Sequence, residues 1–444
     1  MAKKKSSAQV FVPGASGRMV LVEDHRFDQG SWPIQLEVPA TDADLWMQYL
    51  QAECDERGWN HSSIGQMAAD ENSGSITVQG GPYAVTIVWE RQRKGPLTLR
   101  AKSEPETEGE QAANFVRRIN ERFRARETRE FYRRTYLYYE RLPWRGELWL
   151  DDRLRLGPPS HHAKWLLAPQ VIVVDATVNG VSWQGADSLF AAKMDAVALF
   201  LGVVMRCEVT PPHGGYAWTI DPMKPEPELR QLGYIEQNVS TEMPRPGQHP
   251  QVPLHHVDRP DFAFRGIMSD ETEQSLPADV HDLWQRYVNL PAERQEQFRR
   301  AARAYQLGLS LWRQHRTASL AFRVVACEAL KPPGRKYDRW NVYDVVEGLL
   351  GTSYAEPLRQ LAFPPQKIRS FHLHRGALLG AEGVHQMMIA TFHDPTFDED
   401  YRVVAQATHA AMIEWLRAGG ACPVPVRRFS ARSRENARDK RRRR

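Results

Sequence analysis

Arg369 and His374 stand with four residues between them in the stretch Ile368-Arg369-Ser370-Phe371-His372-Leu373-His374-Arg375-Gly376. Arginine offers a planar fork of donors matched to phosphate oxygens and keeps its proton at any accessible pH. Histidine titrates near neutrality, so it can take and return a proton within one reaction. These are the side-chain types that cleavage of RNA without a metal demands. The 2′-hydroxyl must lose a proton as it attacks, the departing 5′-oxygen must gain one, and the charge gathering around phosphorus must be stabilised. Positioned acid–base groups contribute about 10²- to 10⁴-fold in rate to such steps. Spacing adds a constraint. On an ideal helix, positions five apart lie about 140° apart around the axis, whereas His372, three residues from Arg369, shares its face. His372 therefore stands as a rival to His374.

A helix must carry these residues, and the pattern from Pro365 to Leu379 predicts one, opened by Pro364-Pro365. Further helices are predicted at about 277–288, 291–315, 318–330, 342–350 and 397–417, and short connections between them favour antiparallel neighbours in a bundle. At 444 residues the chain is long enough for two or three domains. Residues 1–17 are expected to be a disordered basic arm and 18–135 an α+β domain. In that domain strands are predicted near 19–22, 33–38, 75–78, 83–91 and 97–101. Thr41-Asp42-Ala43-Asp44 has the form of a capping box for a helix ended by Gly58. Phe115, Ile119 and Phe123 recur every four residues among arginines, predicting a basic helix from about Gly109 to Arg134. Residues 136–222 form a second α+β segment, either a domain of its own or a continuation of the first. Prolines crowd between 223 and 270, which reads as a linker, and residues 271–426 make up the helical part.

The region from about 275 to 425, a third of the chain, resembles the HEPN superfamily of α-helical bundles, of which many members are metal-independent ribonucleases. Two motifs carry the resemblance: Arg369-x₄-His374, with Ser370 at the polar position after the arginine and Gly376 beyond the histidine, and the earlier helix Ala318–Leu330 with its Cys327-Glu328-Ala329-Leu330. It implies an α+β N-terminal region followed by an all-α HEPN-like bundle. It further implies an endoribonuclease that uses Arg369 and His374 from each of two paired copies, leaving a 2′,3′-cyclic phosphate and a 5′-hydroxyl. His372 and Glu328 would be supporting residues, with Glu328 either orienting a catalytic group or pairing structurally with Arg369. Partners implied are RNA, a second copy of the chain, and an antitoxin or phage-derived trigger, in a toxin–antitoxin or antiphage setting. The alternative is a catalytically silent RNA-binding or assembly module.

Charge distribution bears on the polyanion. The formal net charge is +5, yet from Arg427 to Arg444 ten Lys/Arg face Glu435 and Asp439, so about +8 resides in the tail and about −3 in the rest. That tail, residues 427–444, is expected to be disordered and suited to nucleic acid. Arg117, Arg118, Arg122 and Arg124 of the basic helix are the other candidates for RNA binding, against the reading of a solvated face paired with Glu121, Glu127 and Glu130. Tyr132, Tyr136, Tyr138 and Tyr139 beside it are candidates for stacking on bases, or for filling strands and core. No cofactor and no metal are expected: His161-His162 and His255-His256-Val257-Asp258 lack a second ligand pair, and Gly14-Ala15-Ser16-Gly17 lacks the lysine of a phosphate loop. Cys54, Cys207, Cys327 and Cys422 fall in no ligand spacing, and nothing resembles a secretory signal, so a cytoplasmic protein is expected. The most apolar run, 196–205, is about ten residues against the roughly 18 needed to span a bilayer, and no membrane contact is expected.

Overall fold

A computed structural model of the chain describes residues 10–13, 19–22, 34–38, 42–62, 73–80, 83–91, 97–104, 109–140, 142–160, 170–211, 216–219, 223, 228–231, 241–255, 274–312, 315–375 and 395–425. Within the arm expected to be disordered over residues 1–17, positions 10–13 instead form a strand, because Val10, Phe11 and Val12 pair with the apolar strand at 19–22; the rest of the arm and the tail at 427–444 lie outside the described residues. The N-terminal half is α+β with antiparallel sheets, and the C-terminal half is mostly helical. Two compact units divide the chain: Met1–Phe131 with Val178–Phe190, and Tyr132–Thr177 with Ala191–Arg444.

In the first unit β1 (Val10–Pro13) and β2 (Met19–Val22) form a hairpin. Next come β3 (Ile34–Val38), α1 (Ala43–Arg57), β4 (Asn60–Ser62), β5 (Ser73–Gly80), β6 (Tyr83–Arg91), β7 (Leu97–Glu104) and α2 (Gly109–Ala125). The five strands from β3 to β7 build an antiparallel sheet ordered β3-β7-β6-β5-β4. Val85 and Ile87, two apart on β6, are buried with Trp46, Tyr49 and Leu50 of α1 and the helical series Phe115, Ile119, Phe123 of α2. Each such side chain contributes about 1.5–3 kcal/mol on burial. Gly58 ends α1 in the left-handed conformation, φ 65°, which an L residue adopts only with strain. The capping box expected there is not made as drawn: Asp42 is the N-cap and its side chain makes no capping hydrogen bond. Its carboxylate instead meets Arg126 at 2.5 Å.

The basic helix is shorter than its arginines suggest. It stops at Ala125, Arg126 takes φ 53°, and the chain becomes a strand, β8 (Arg129–Tyr139). Arginine and glutamate report no period, and the alternation of buried Phe131, Leu137 and Tyr139 decides the matter. After β8 follow β9 (Leu148–Asp151), β10 (Leu154–Gly157), β11 (Gln170–Gly180), α3 (Trp183–Met205) and β12 (Val209–Thr210), with sheet order β12-β8-β11-β10-β9. Short pairs β13 (Tyr216–Thr219) with β14 (Glu228–Gln231), and β15 (Leu254–His255) with β16 (Leu276–Pro277), follow. The helices are α4 (Val280–Val288), α5 (Ala292–Ser310), α6 (Arg316–Glu328), α7 (Val342–Leu350), α8 (Thr352–Arg359), α9 (Pro365–Arg375) and α10 (Pro395–Arg417).

Helix α3 corrects the reading of a ten-residue apolar run. It spans 23 residues and, among the described residues, is the one helix long and apolar enough to cross a membrane; 67% of its apolar window is buried inside the protein. That burial marks a core helix. Within the second unit Phe200 of α3 packs on Trp284 and Tyr287 of α4, with ring centroids 5.2 and 6.4 Å away. Gln306 of α5 donates to the Ala198 carbonyl at 2.8 Å and accepts from the Val209 N–H at 3.2 Å. Trp284 donates to Asp151 of β9 at 3.1 Å. The bundle and much of the 136–222 segment thus share one compact unit, although the prolines between them read as a linker. An apolar helix with buried positions along most of its length needs cover on more than one side, which α4 and α5 help to supply.

Part of that proline-rich stretch, residues 241–255, is a strap along β9. Glu147 donates its N–H to the Pro250 carbonyl at 2.6 Å, and its carbonyl accepts from the Val252 N–H at 3.2 Å. Gly146 permits this approach, because a Cβ there would collide with the backbone of Gln251 and Val252. Gly146→Ala is expected to lower stability by about 1–3 kcal/mol through this overpacking. Urea denaturation measures it, and an unchanged midpoint would mean that the strap does not lie on β9.

Candidate active site

The bundle centres on α6, which packs against α5, α7, α9 and α10. Helix α9 begins where the sequence predicts. Proline suits a first helical turn because its missing N–H has no intrahelical acceptor there. The Pro364 carbonyl accepts from the N–H groups of Lys367 and Ile368 at 2.9 and 3.1 Å. Asp400, buried on α10, accepts the Phe363 N–H at 2.6 Å and anchors the approach. Ile368 buries its side chain in the bundle. The next residue, Arg369, turns its guanidinium to Glu328 at the end of α6.

This ion pair joins the two family-like motifs across 41 residues of sequence. Arg369 is 32% exposed and Glu328 is 8% exposed, so the carboxylate is the buried member and the guanidinium reaches from it toward solvent. Lys331 Nζ is 4.0 Å from the same carboxylate. A cation near the last turn of α6 also meets the negative end of the helix dipole. Ser370 is exposed and His372 half-buried. Helix α9 runs through position 374, so the Cα positions of Arg369 and His374 are about 140° apart around the axis. The His374 side chain, and Gly376, lie outside the described residues. What is described is one phosphate-capable cation, held by a carboxylate and left partly open to solvent.

The candidate RNA-binding arginines differ in their freedom. Arg122, 15% exposed, meets Glu53 and Glu56 of α1 at 3.0 Å and Glu127 at 3.3 Å. These carboxylate bonds outweigh its burial and hold its pKa above the usual value. Arg118 meets Glu53 at 3.1 Å. Arg117 and Arg124 are exposed and make no ion pair among the described residues. Of the neighbouring carboxylates that sequence proximity suggests, Glu127 does pair with Arg122, and the inner arginines also reach Glu53 and Glu56 of α1. Two tyrosines of β8 spend their hydroxyls internally: Tyr132 donates to Asp175 at 2.6 Å and Tyr139 to the Leu142 carbonyl at 2.6 Å.

Two polar clusters in the second unit escaped sequence reasoning. In one, buried Asp175 of β11 accepts from Tyr132, Arg134 and Arg155, and Arg155 bridges to buried Glu147. Its signal was an aspartate inside the apolar run Val171–Ala176. In the other, Arg323 of α6 is buried between tyrosine rings, and its signal was an arginine amid the apolar face of Ala318–Leu330. All four cysteines are buried free thiols. Burial pushes Cys54 up to about 12 and Cys422 up to about 11, so neither supplies a thiolate nucleophile near neutral pH. Among the described residues no three His, Cys, Asp or Glu side chains gather in a metal-capable group. No family model, curated protein or solved structure matches the chain.

Proposed function

We propose that the C-terminal bundle is a HEPN-type endoribonuclease in which Arg369 holds the scissile phosphate and His374 moves protons. The observation that supports it best is the Arg369–Glu328 pair, which aims a solvent-reaching guanidinium from the first turns of a proline-started helix. In the proposed reaction the histidine takes the 2′-hydroxyl proton as that oxygen attacks phosphorus, and the 5′-oxygen leaves with a proton from the histidine of a second copy. Arg369 stabilises the charge on the equatorial oxygens, and Ser370 sits beside it to hydrogen-bond the phosphate. Pairing two copies answers the 140° offset, since each contributes part of a composite site. Arg117 and Arg124 are the outward cations of α2 available to an RNA backbone. The setting proposed is cytoplasmic growth arrest in antiphage defence or a toxin–antitoxin pair, held by an antitoxin or released by a phage component.

The test is incubation of the full chain with total RNA in EDTA, beside Arg369→Ala, His374→Ala and His372→Ala. Cleavage by wild type to 2′,3′-cyclic phosphate ends, lost in the first two variants, is expected. Intact RNA under conditions where the protein is folded and dimeric, or equal cleavage by both variants, sinks the proposal. Loss in His372→Ala with retention in His374→Ala would move the proton-transfer role to His372.

One observation favours a second reading. Glu328 neutralises Arg369, as it would in a bundle that only binds RNA or assembles with a partner. RNA binding that persists without cleavage, with or without candidate partners, is the outcome that reading expects.

A further inference from the structure

Arg323 is the least compensated charge in the described part of the protein. It is 3% exposed, yet it makes no ion pair among the described residues, and its Nε and Nη1 atoms meet no hydrogen-bond partner. Arginine does not escape burial by losing its proton, so the positive charge remains. What surrounds it is aromatic and hydroxylic. The guanidinium carbon lies 5.3 Å from the ring centroid of Tyr305 on α5 and 5.3 Å from that of Tyr401 on α10. Cation–π attraction to two rings offsets part of the desolvation cost but satisfies none of the in-plane N–H donors.

The hydroxyls nearby answer the guanidinium only in part, and Nε and Nη1 stay without an acceptor. The Tyr305 hydroxyl faces the guanidinium closely enough for the two to attract, but it has no partner within full hydrogen-bond distance. Ser319 donates to the Gly308 carbonyl, so the 2.9 Å contact between Ser319 and Tyr401 uses the Tyr401 proton and leaves the Tyr401 oxygen as an acceptor beside the guanidinium. Gly308 is what admits the arginine: a Cβ there would lie 2.9 Å from Arg323 Cγ and 3.0 Å from the Ser319 carbonyl oxygen. The bundle is therefore shaped around a buried cation while leaving donors of Arg323 and Tyr305 unanswered, and buried donors of this kind normally have partners.

We propose that this cluster, Arg323 with Tyr305, Tyr401 and Ser319, is a binding site for one small inorganic anion. The anion accepts from the idle Nε and Nη1 N–H groups and the Tyr305 hydroxyl and supplies the counter-charge that the described residues lack there. Chloride and a phosphate-sized oxyanion share this chemistry. The site is separate from Arg369 and stands or falls independently of the ribonuclease proposal.

The experiment is the thermal unfolding midpoint of the full chain as sodium chloride or sodium phosphate replaces sodium gluconate at constant ionic strength. Gluconate is too large for a buried single-arginine site. The expected result is a saturable rise, of the form that binding to the native state alone produces, with one or both anions. It should persist in Arg369→Ala, weaken in Tyr305→Phe and vanish in Arg323→Met. A response to chloride alone or to phosphate alone identifies the occupant. Chloride-35 line broadening by wild type, reversed by phosphate, is the companion measurement should Arg323→Met fail to fold. Absence of any saturable rise and of line broadening in wild type overturns the proposal, as does an equal rise in folded Arg323→Met, which would report general salt effects.

Discussion

Asp175→Ala is expected to destabilise the protein by about 3–5 kcal/mol, the loss typical when one partner is removed from a buried ion pair. Asp175 is fully buried on β11 and accepts from Tyr132 at 2.6 Å, Arg134 at 2.7 Å and Arg155 at 2.9 Å. Arg155 also meets buried Glu147 at 3.2 Å, and Glu147 accepts the Gly247 N–H of the strap. Two carboxylates and two guanidiniums make a network with no net charge. Removing Asp175 leaves one positive charge in excess around a nearly inaccessible Arg155, and it orphans the Tyr132 hydroxyl. In the wild type, burial and then the Asp175 carboxylate hold that hydroxyl well above the ordinary tyrosine range, so it serves the network as a donor. Against a total stability of about 5–15 kcal/mol for an ordinary domain, the loss is a large fraction. Asp175→Asn keeps the shape and one acceptor, and should cost less. Urea denaturation followed by circular dichroism gives the values; a loss below about 1 kcal/mol for the alanine variant would show that water reaches the network and that it is not buried as described.

That network also marks where sequence reading ends. Helix α7 is legible because its signals are local: Asn341 accepts the Tyr343 N–H at 3.0 Å, Asp344 returns a bond to the Asn341 N–H at 3.1 Å, and Gly351 closes the helix. Strand β6 and the start of α9 are legible for the same kind of reason, alternation in one and proline in the other. Helix α8 is eight residues long with Pro357 inside it, too short and too broken to establish a period. The end of α2 was hidden by arginines, which fit helix and strand equally well. At the candidate site, Arg369 and Glu328 could be named from their motifs and their pairing stood as one of two alternatives, but choosing it depends on how α9 packs on α6. Burial of Arg323 and Asp175 is likewise a property of packing, and each appears in sequence only as a charge among apolar neighbours.

Arg369→Ala is expected to lower cleavage about 10²- to 10³-fold, the effect of deleting a group that stabilises transition-state charge. The same change should cost about 1–3 kcal/mol of stability, because Glu328 at 8% exposure would keep, among the described residues, only Lys331, 4.0 Å away, as a cationic neighbour. Glu328→Gln separates the two effects. Glutamine retains the shape and one acceptor oxygen, so the protein should remain folded, while the guanidinium loses the charge that holds it in place. If Glu328 positions Arg369 for the reaction, kcat should fall about tenfold with KM unchanged or lower, since a less neutralised arginine binds phosphate at least as well. A purely structural Glu328 predicts a change in stability and none in kcat. Adding Glu328→Gln to Arg369→Ala should recover part of the stability lost by the single arginine variant, because no buried carboxylate is then left short of a partner. This thermodynamic cycle tests the pair whether or not the bundle is a nuclease. Additive stability losses would mean that the two side chains do not interact in solution, and would remove the geometry on which the placement of Arg369 rests.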